Sequence, residues 1–113
     1  MQKDVNFSEL GEELVAGLSG ELDHHSAKKM RIEIDSMLFR IKPKILALDF
    51  SLVRFMDSSG IGLIIGRADV CESIGAKIEI RGLDSRQVRI LKLSGIEKIK
   101  GIKIKTLEGC ERI

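Results

Sequence analysis

At 113 residues the chain has room for one domain built around one hydrophobic core. Hydrophobic residues at 43% and charged residues at 32% exclude a disordered polymer. The 19 basic and 17 acidic residues are interleaved, and with neither Trp nor Tyr the chain lacks the stacking groups and concentrated charge of a nucleic-acid binder.

The predicted elements begin with a hairpin. Val5 and Phe7 point one way with Asn6 opposed; Leu14, Ala16 and Leu18 then alternate with Val15, Gly17 and Ser19, and Gly11 lies between the two runs. Gly20 is expected to end the second strand. Asp23 or Ser26 can cap a helix whose apolar positions, Ala27, Met30, Ile34, Met37, Leu38 and Ile41, follow helical spacing until Lys42-Pro43 stops it. Ile45 to Phe50 is almost continuously apolar, as a central strand should be, and a loop is expected after it. A second helix runs from about Ser58 to Ile74, burying Ile61, Ile64, Ile65, Ala68, Cys71 and Ile74, with Gly75 placed to end it. The strict alternation of Lys77-Ile78-Glu79-Ile80-Arg81 predicts a strand with one wet face. Asp84 and Gln87 have capping-box spacing for a third helix ending near Ser94-Gly95, and Ile102 and Ile104 suggest a last strand.

The order β-β-α-β-α-β-α-β, with polar residues on one face of several strands, argues for a single α/β domain over residues 1–113. Its helices should stack on one side of a mixed sheet of four to five strands. The longest apolar stretch, around Ile61 to Gly66, is far below the ~20 residues of a bilayer span, and Met1-Gln2-Lys3-Asp4-Val5 lacks the apolar core of a signal peptide. Cys71 and Cys110 have no CxxC spacing and read as free thiols of a reducing cytoplasm. No membrane partner, cofactor or metal is expected.

The most unusual stretch is Phe55-Met56-Asp57-Ser58-Ser59-Gly60-Ile61-Gly62-Leu63-Ile64-Ile65-Gly66-Arg67. Asp57, Ser58 and Ser59 are all good caps for the helix that follows, and satisfying its free N–H groups is the plain reading. The helix beyond them weakens that reading. Ser59, Gly62, Gly66 and Asp69 share one face, opposite the isoleucines, and each interior glycine costs about 0.8–1 kcal/mol relative to alanine. A flat stripe beside two hydroxyls suits a docked partner backbone or a nucleotide, with Leu63 and Arg67 flanking it; alternatively the glycines admit a neighbouring segment of the same chain. Gly20-Glu21-Leu22-Asp23-His24-His25 is a second candidate, because loops after parallel strands gather at one edge of the sheet. Asp23 there can cap a helix, contact a basic partner, or both. Adjacent histidines diverge by about 100° on a helix and make a poor metal site.

Together with Leu93-Ser94-Gly95-Ile96, these two stretches resemble the bacterial anti-sigma factor antagonists of the STAS fold, in particular the sporulation branch acting on a sigma-F pathway. The resemblance covers nearly the whole chain, although family members usually carry a final helix where only Thr106 to Ile113 remain here. It implies a phosphorylation switch. The serine directly after the aspartate, Ser58, accepts phosphate from an anti-sigma factor that is a serine kinase; the unphosphorylated form binds that factor and frees the sigma factor, and a serine phosphatase restores it. The expected partner surface comprises Glu21, Asp23, His24, Asp57, Ser58, Ser59, Gly62, Leu63, Gly66 and Arg67. Residue chemistry alone leaves Ser58 and Ser59 equivalent.

Three competing readings remain. A nucleophilic serine enzyme lacks a G-x-S-x-G elbow and has only His24 and His25 as bases. A phosphoaspartate receiver using Asp49 would want an acidic pair after the first strand. A STAS module of another signalling complex, such as stress-response partner switching, shares the motifs.

Overall fold

Val5, Leu14, Ala16 and Leu18 are all buried on one face of a hairpin formed by β1 (Val5–Leu10) and β2 (Glu13–Leu22). They are so placed in a computed structural model of the chain, which describes residues 4–99, 101–106 and 109–110. The remaining elements follow the expected order: α1 (His24–Ile41), β3 (Ile45–Met56), α2 (Ser58–Ser73), β4 (Lys77–Leu83) and α3 (Ser85–Ser94), then β5 (Ile102–Thr106). A two-residue β6 (Gly109–Cys110) pairs antiparallel with β5. It adds a short sixth strand to the sheet, one more than the four to five expected. The Cys110 side chain lies outside the described residues.

Strand order in the sheet is sequential from β1 to β6. β2, β3, β4 and β5 run parallel, so each crossover carries a helix, while β1 is antiparallel to β2. In register, Leu14, Leu46, Ile78 and Ile102 form one apolar row across the sheet, and Ala16, Leu48, Ile80 and Ile104 form the next. Against these rows pack Met30, Ile34 and Leu38 of α1, Leu63, Ile64 and Cys71 of α2, and Val88 and Leu91 of α3. Burying each large side chain stabilises the fold by about 1.5–3 kcal/mol relative to exposure. The other face carries charged groups, although Glu79 on it is buried. There Arg81 bridges Glu13 and Glu79, and Lys105 reaches Glu79 at 3.2 Å. Burial pushes the Glu79 carboxyl up, but the hydrogen bonds from Arg81 and Lys105 outweigh it and hold the group below its ordinary value.

Two strands extend beyond their expected ends. β2 does not stop at Gly20; that residue, at φ +84, sits where the β2–β3 register shifts, and the strand continues to Leu22. β3 continues from Phe50 to Met56 in place of the expected loop. In this part the buried residues are Phe50, Val53 and Met56, every third position, while Leu52 and Phe55 are exposed. The register shifts against β2 account for the lost alternation.

The helix caps are as expected. Asp23 Oδ1 accepts from the backbone N–H of His25 and Ser26, and the Asp23 N–H donates to Ser26 Oγ, closing a capping box. Asp84 and Gln87 form the same box at α3. Gly75, at φ +77, follows the last turn of α2.

Candidate functional site

Parallel pairing of β2 with β3 sets the geometry of the site. Leu22 is opposite Met56, and the Asp57 N–H donates to Leu22 O at 3.2 Å. The caps Asp23 and Asp57 therefore follow neighbouring strand ends, and α1 and α2 leave the sheet side by side at its carboxyl edge, where loop and helix-end groups of open α/β sheets collect. The gathering of loops after parallel strands made the Gly20-Glu21-Leu22-Asp23 turn a candidate, and its Leu22 is hydrogen-bonded to the residue before Ser58.

Asp57 caps α2 by accepting from the Ser59 N–H at 2.7 Å, and the Gly60 N–H donates to Asp57 O at 3.0 Å. With the cap supplied by Asp57, neither serine hydroxyl is needed for that purpose. Ser58 is the first residue of the helix and is exposed; Ser59 is half-buried. Gly60 packs against Met56: a β-carbon there would stand 2.5 Å from Met56 Cγ and Sδ. The turn thus has reason to be glycine for packing at that one position.

Gly62 and Gly66 have no such reason. A β-carbon at either would meet no heavy atom within 4 Å, so the possibility that they admit another part of this chain is excluded among the described residues. Both line an open groove of about 490 Å³ between α1 and α2, shared with Ser59, Leu63 and Arg67 of α2 and with His24 of α1. Its other walls are Ala27, Lys28 and Arg31. The sequence reading missed these three. The available signal was the spacing of His24, Lys28 and Arg31 at i, i+4 and i+7, which puts them along one side of α1.

Other expected site residues fall elsewhere. Glu21 and Asp23 line a second depression on the far side of the turn, of about 820 Å³, with Ser19, Ser26 and Ser51 among its walls. Hydrogen bonds from the Ser26 backbone, opposed by slight desolvation and aided by the Ser26 hydroxyl and His25, draw the Asp23 carboxyl below its usual value. Asp57 and Ser58 line neither concavity.

Leu63 and Arg67 do not flank the glycine stripe as exposed contacts. They are 4% and 5% exposed and form the floor of the groove. Arg67 is held inside by Asp35 of α1, with Nε 2.7 Å from Oδ1. Burial draws its guanidinium down from its ordinary value, Asp35 opposes that shift, and Arg31 nearby adds to it. Ile65, expected in the core, is 37% exposed, and Asp69 is outside the groove. Cys71 is buried, and desolvation pushes its thiol up to about 11, leaving it an unreactive core group.

The STAS domain family profile matches residues 4–108, and the chain belongs to the STAS domain family. Its relatives narrow the class. The chain is 35% identical over 89 residues to the anti-sigma F factor antagonist of Paenibacillus polymyxa, covering 79% of this chain and 76% of that one. Identity to the anti-sigma-B factor antagonist of Listeria monocytogenes is 29% over 93 residues, or 81% and 78% of the two chains. Among solved structures, the anti-sigma factor antagonist SpoIIAA in its unphosphorylated form matches with a TM-score of 0.75 and 26% identity, over 92% of this chain and 90% of that one. SpoIIAA of Bacillus in its phosphorylated form matches at 0.68 and 27%, over 92% and 93%. The chain is a homologue of anti-sigma factor antagonists, and among its described residues no helix is long and apolar enough to cross a membrane.

Proposed function

We propose that the unphosphorylated protein binds an anti-sigma factor and so releases a sigma factor, and that a phosphate on Ser58 switches this binding off. The observation that carries the reading is the exposed Ser58 at the start of α2, beside a groove whose two glycines touch nothing in their own chain. Relatives named as antagonists of anti-sigma F and anti-sigma-B factors support it.

The chemistry belongs to the partners. The anti-sigma factor acts as the serine kinase and transfers phosphate to Ser58; a serine phosphatase removes it. The protein is their cytoplasmic substrate, one domain over residues 1–113, and performs no catalysis of its own. A phosphate adds about −1.5 to −2 charges. At a helix N-terminus the macrodipole and free N–H groups tolerate that charge, so the fold survives. At a docked surface the same group brings bulk and unpaired charge beside the Asp57 carboxylate. A loss of about 4 kcal/mol there weakens binding a thousandfold.

Incubation with the cognate anti-sigma factor and ATP, followed by mapping of the phosphate, tests the site. Wild-type protein should acquire one phosphoserine at residue 58, and Ser58→Ala should acquire none. Undiminished labelling of Ser58→Ala contradicts the assignment. The anti-sigma-B relatives support a second reading, the same switch in a stress-response pathway, which the identity of the released sigma factor decides.

A further inference from the structure

The groove between α1 and α2 holds positive charge that the fold does not balance. Lys28 and Arg31 follow one another along its α1 wall, and none of its lining residues is acidic. Arg67 in the floor is neutralised by Asp35. Lys28 and Arg31 are exposed and pair with no carboxylate among the described residues. Arg31 is also near enough to Arg67 to disfavour its charge slightly, so the two cations add to the positive character of this side of the groove.

The form of the groove narrows the kind of anion. A small phosphate compound needs donors converging on a closed pocket. Here the two cations stand on flexible, exposed side chains about one helical turn apart, at the rim of an open channel. Its floor is partly apolar, with Leu63 beneath, and Gly62 and Gly66 allow another backbone to come close. A helix carrying carboxylates one turn apart matches both features.

We propose that the groove receives an acidic helix of the anti-sigma factor, its carboxylates facing Lys28 and Arg31 and its backbone crossing Gly62 and Gly66. This rests on the docking function proposed above and specifies the chemistry of the partner. The basic wall supplies attraction and register, while Ser58, outside the groove, supplies the on–off control.

The test is a titration of the Lys28→Glu, Arg31→Glu double variant against the purified cognate anti-sigma factor, at roughly 50 and 300 mM salt. Wild-type affinity should fall at least about tenfold between the two salts. The variant should bind about a hundredfold more weakly at low salt, the loss of two charge pairs, and respond little to salt. If charge reversal unfolds the domain, the Lys28→Gln, Arg31→Gln pair should still show a loss of about tenfold. Variant affinity within about threefold of wild type, with Ser58→Asp still abolishing binding, overturns the acidic-helix proposal and leaves the docking function standing. Wild-type protein that does not bind overturns both. ATP or inorganic phosphate that binds wild type but not the double variant, with anti-sigma affinity unchanged, also overturns the proposal and makes the groove a small-anion site.

Discussion

Ser58 and Ser59 carry the same hydroxyl and differ by one position, yet the helix start gives them different surroundings. Asp57 takes the capping role through the Ser59 N–H, which leaves Ser58 outermost and Ser59 turned into the groove. The structure thus supplies a distinction that residue types alone lack. Arg67 shows the opposite case, a side chain whose sequence context misleads. It lies one position past Gly66 in a helix that is apolar on most sides, so periodicity does not say which face meets the sheet and which meets α1. Its guanidinium needs an acidic neighbour once buried, and that neighbour, Asp35, is 32 positions away in another helix. Removing it should be costly: Asp35→Ala is expected to destabilise the fold by about 2 kcal/mol, below the full cost of breaking a buried pair because Asp35 is partly exposed. Adding Arg67→Met should recover most of the loss in urea denaturation. A single variant as stable as wild type would show that water, not Asp35, satisfies the arginine.

At the level of elements, what is local was legible. Capping boxes at Asp23 and Asp84 and the glycine after α2 are set by neighbours within three residues, and each appears where the sequence puts it. The second half of β3 was not legible. Its burial repeats every third residue because bulges against β2 reset the register, and a non-local pairing leaves no period in one strand's own sequence. Helix α2 joins the two cases. Its glycines are visible as a departure from good helix formers, but only the empty space around them separates docking from internal packing. That space gives a two-part prediction. Gly62→Ala should stabilise the isolated protein by about 0.8–1 kcal/mol, since the methyl group meets nothing and helix propensity improves. The same change should weaken binding to the anti-sigma factor. Thermal unfolding and titration of one sample measure both; a variant no more stable than wild type would contradict the open groove.

Across the whole molecule, the sheet's one-sided construction determines where function can sit. Three helices cover one face, the other carries the charge ladder of Glu13, Arg81, Glu79 and Lys105, and the carboxyl ends of β2 and β3 present two helix N-termini together. The serine, its cap and the mouth of the groove are held by strand pairing rather than by a flexible loop, so adding a phosphate changes the surface without requiring the fold to move. The most direct measurement is the affinity of one preparation for the cognate anti-sigma factor before and after stoichiometric phosphorylation of Ser58, with circular dichroism recorded on both forms. Unchanged spectra and a loss of affinity of about a thousandfold are predicted. Equal affinities of the two forms, or a loss that coincides with unfolding, would contradict a switch that acts at the surface.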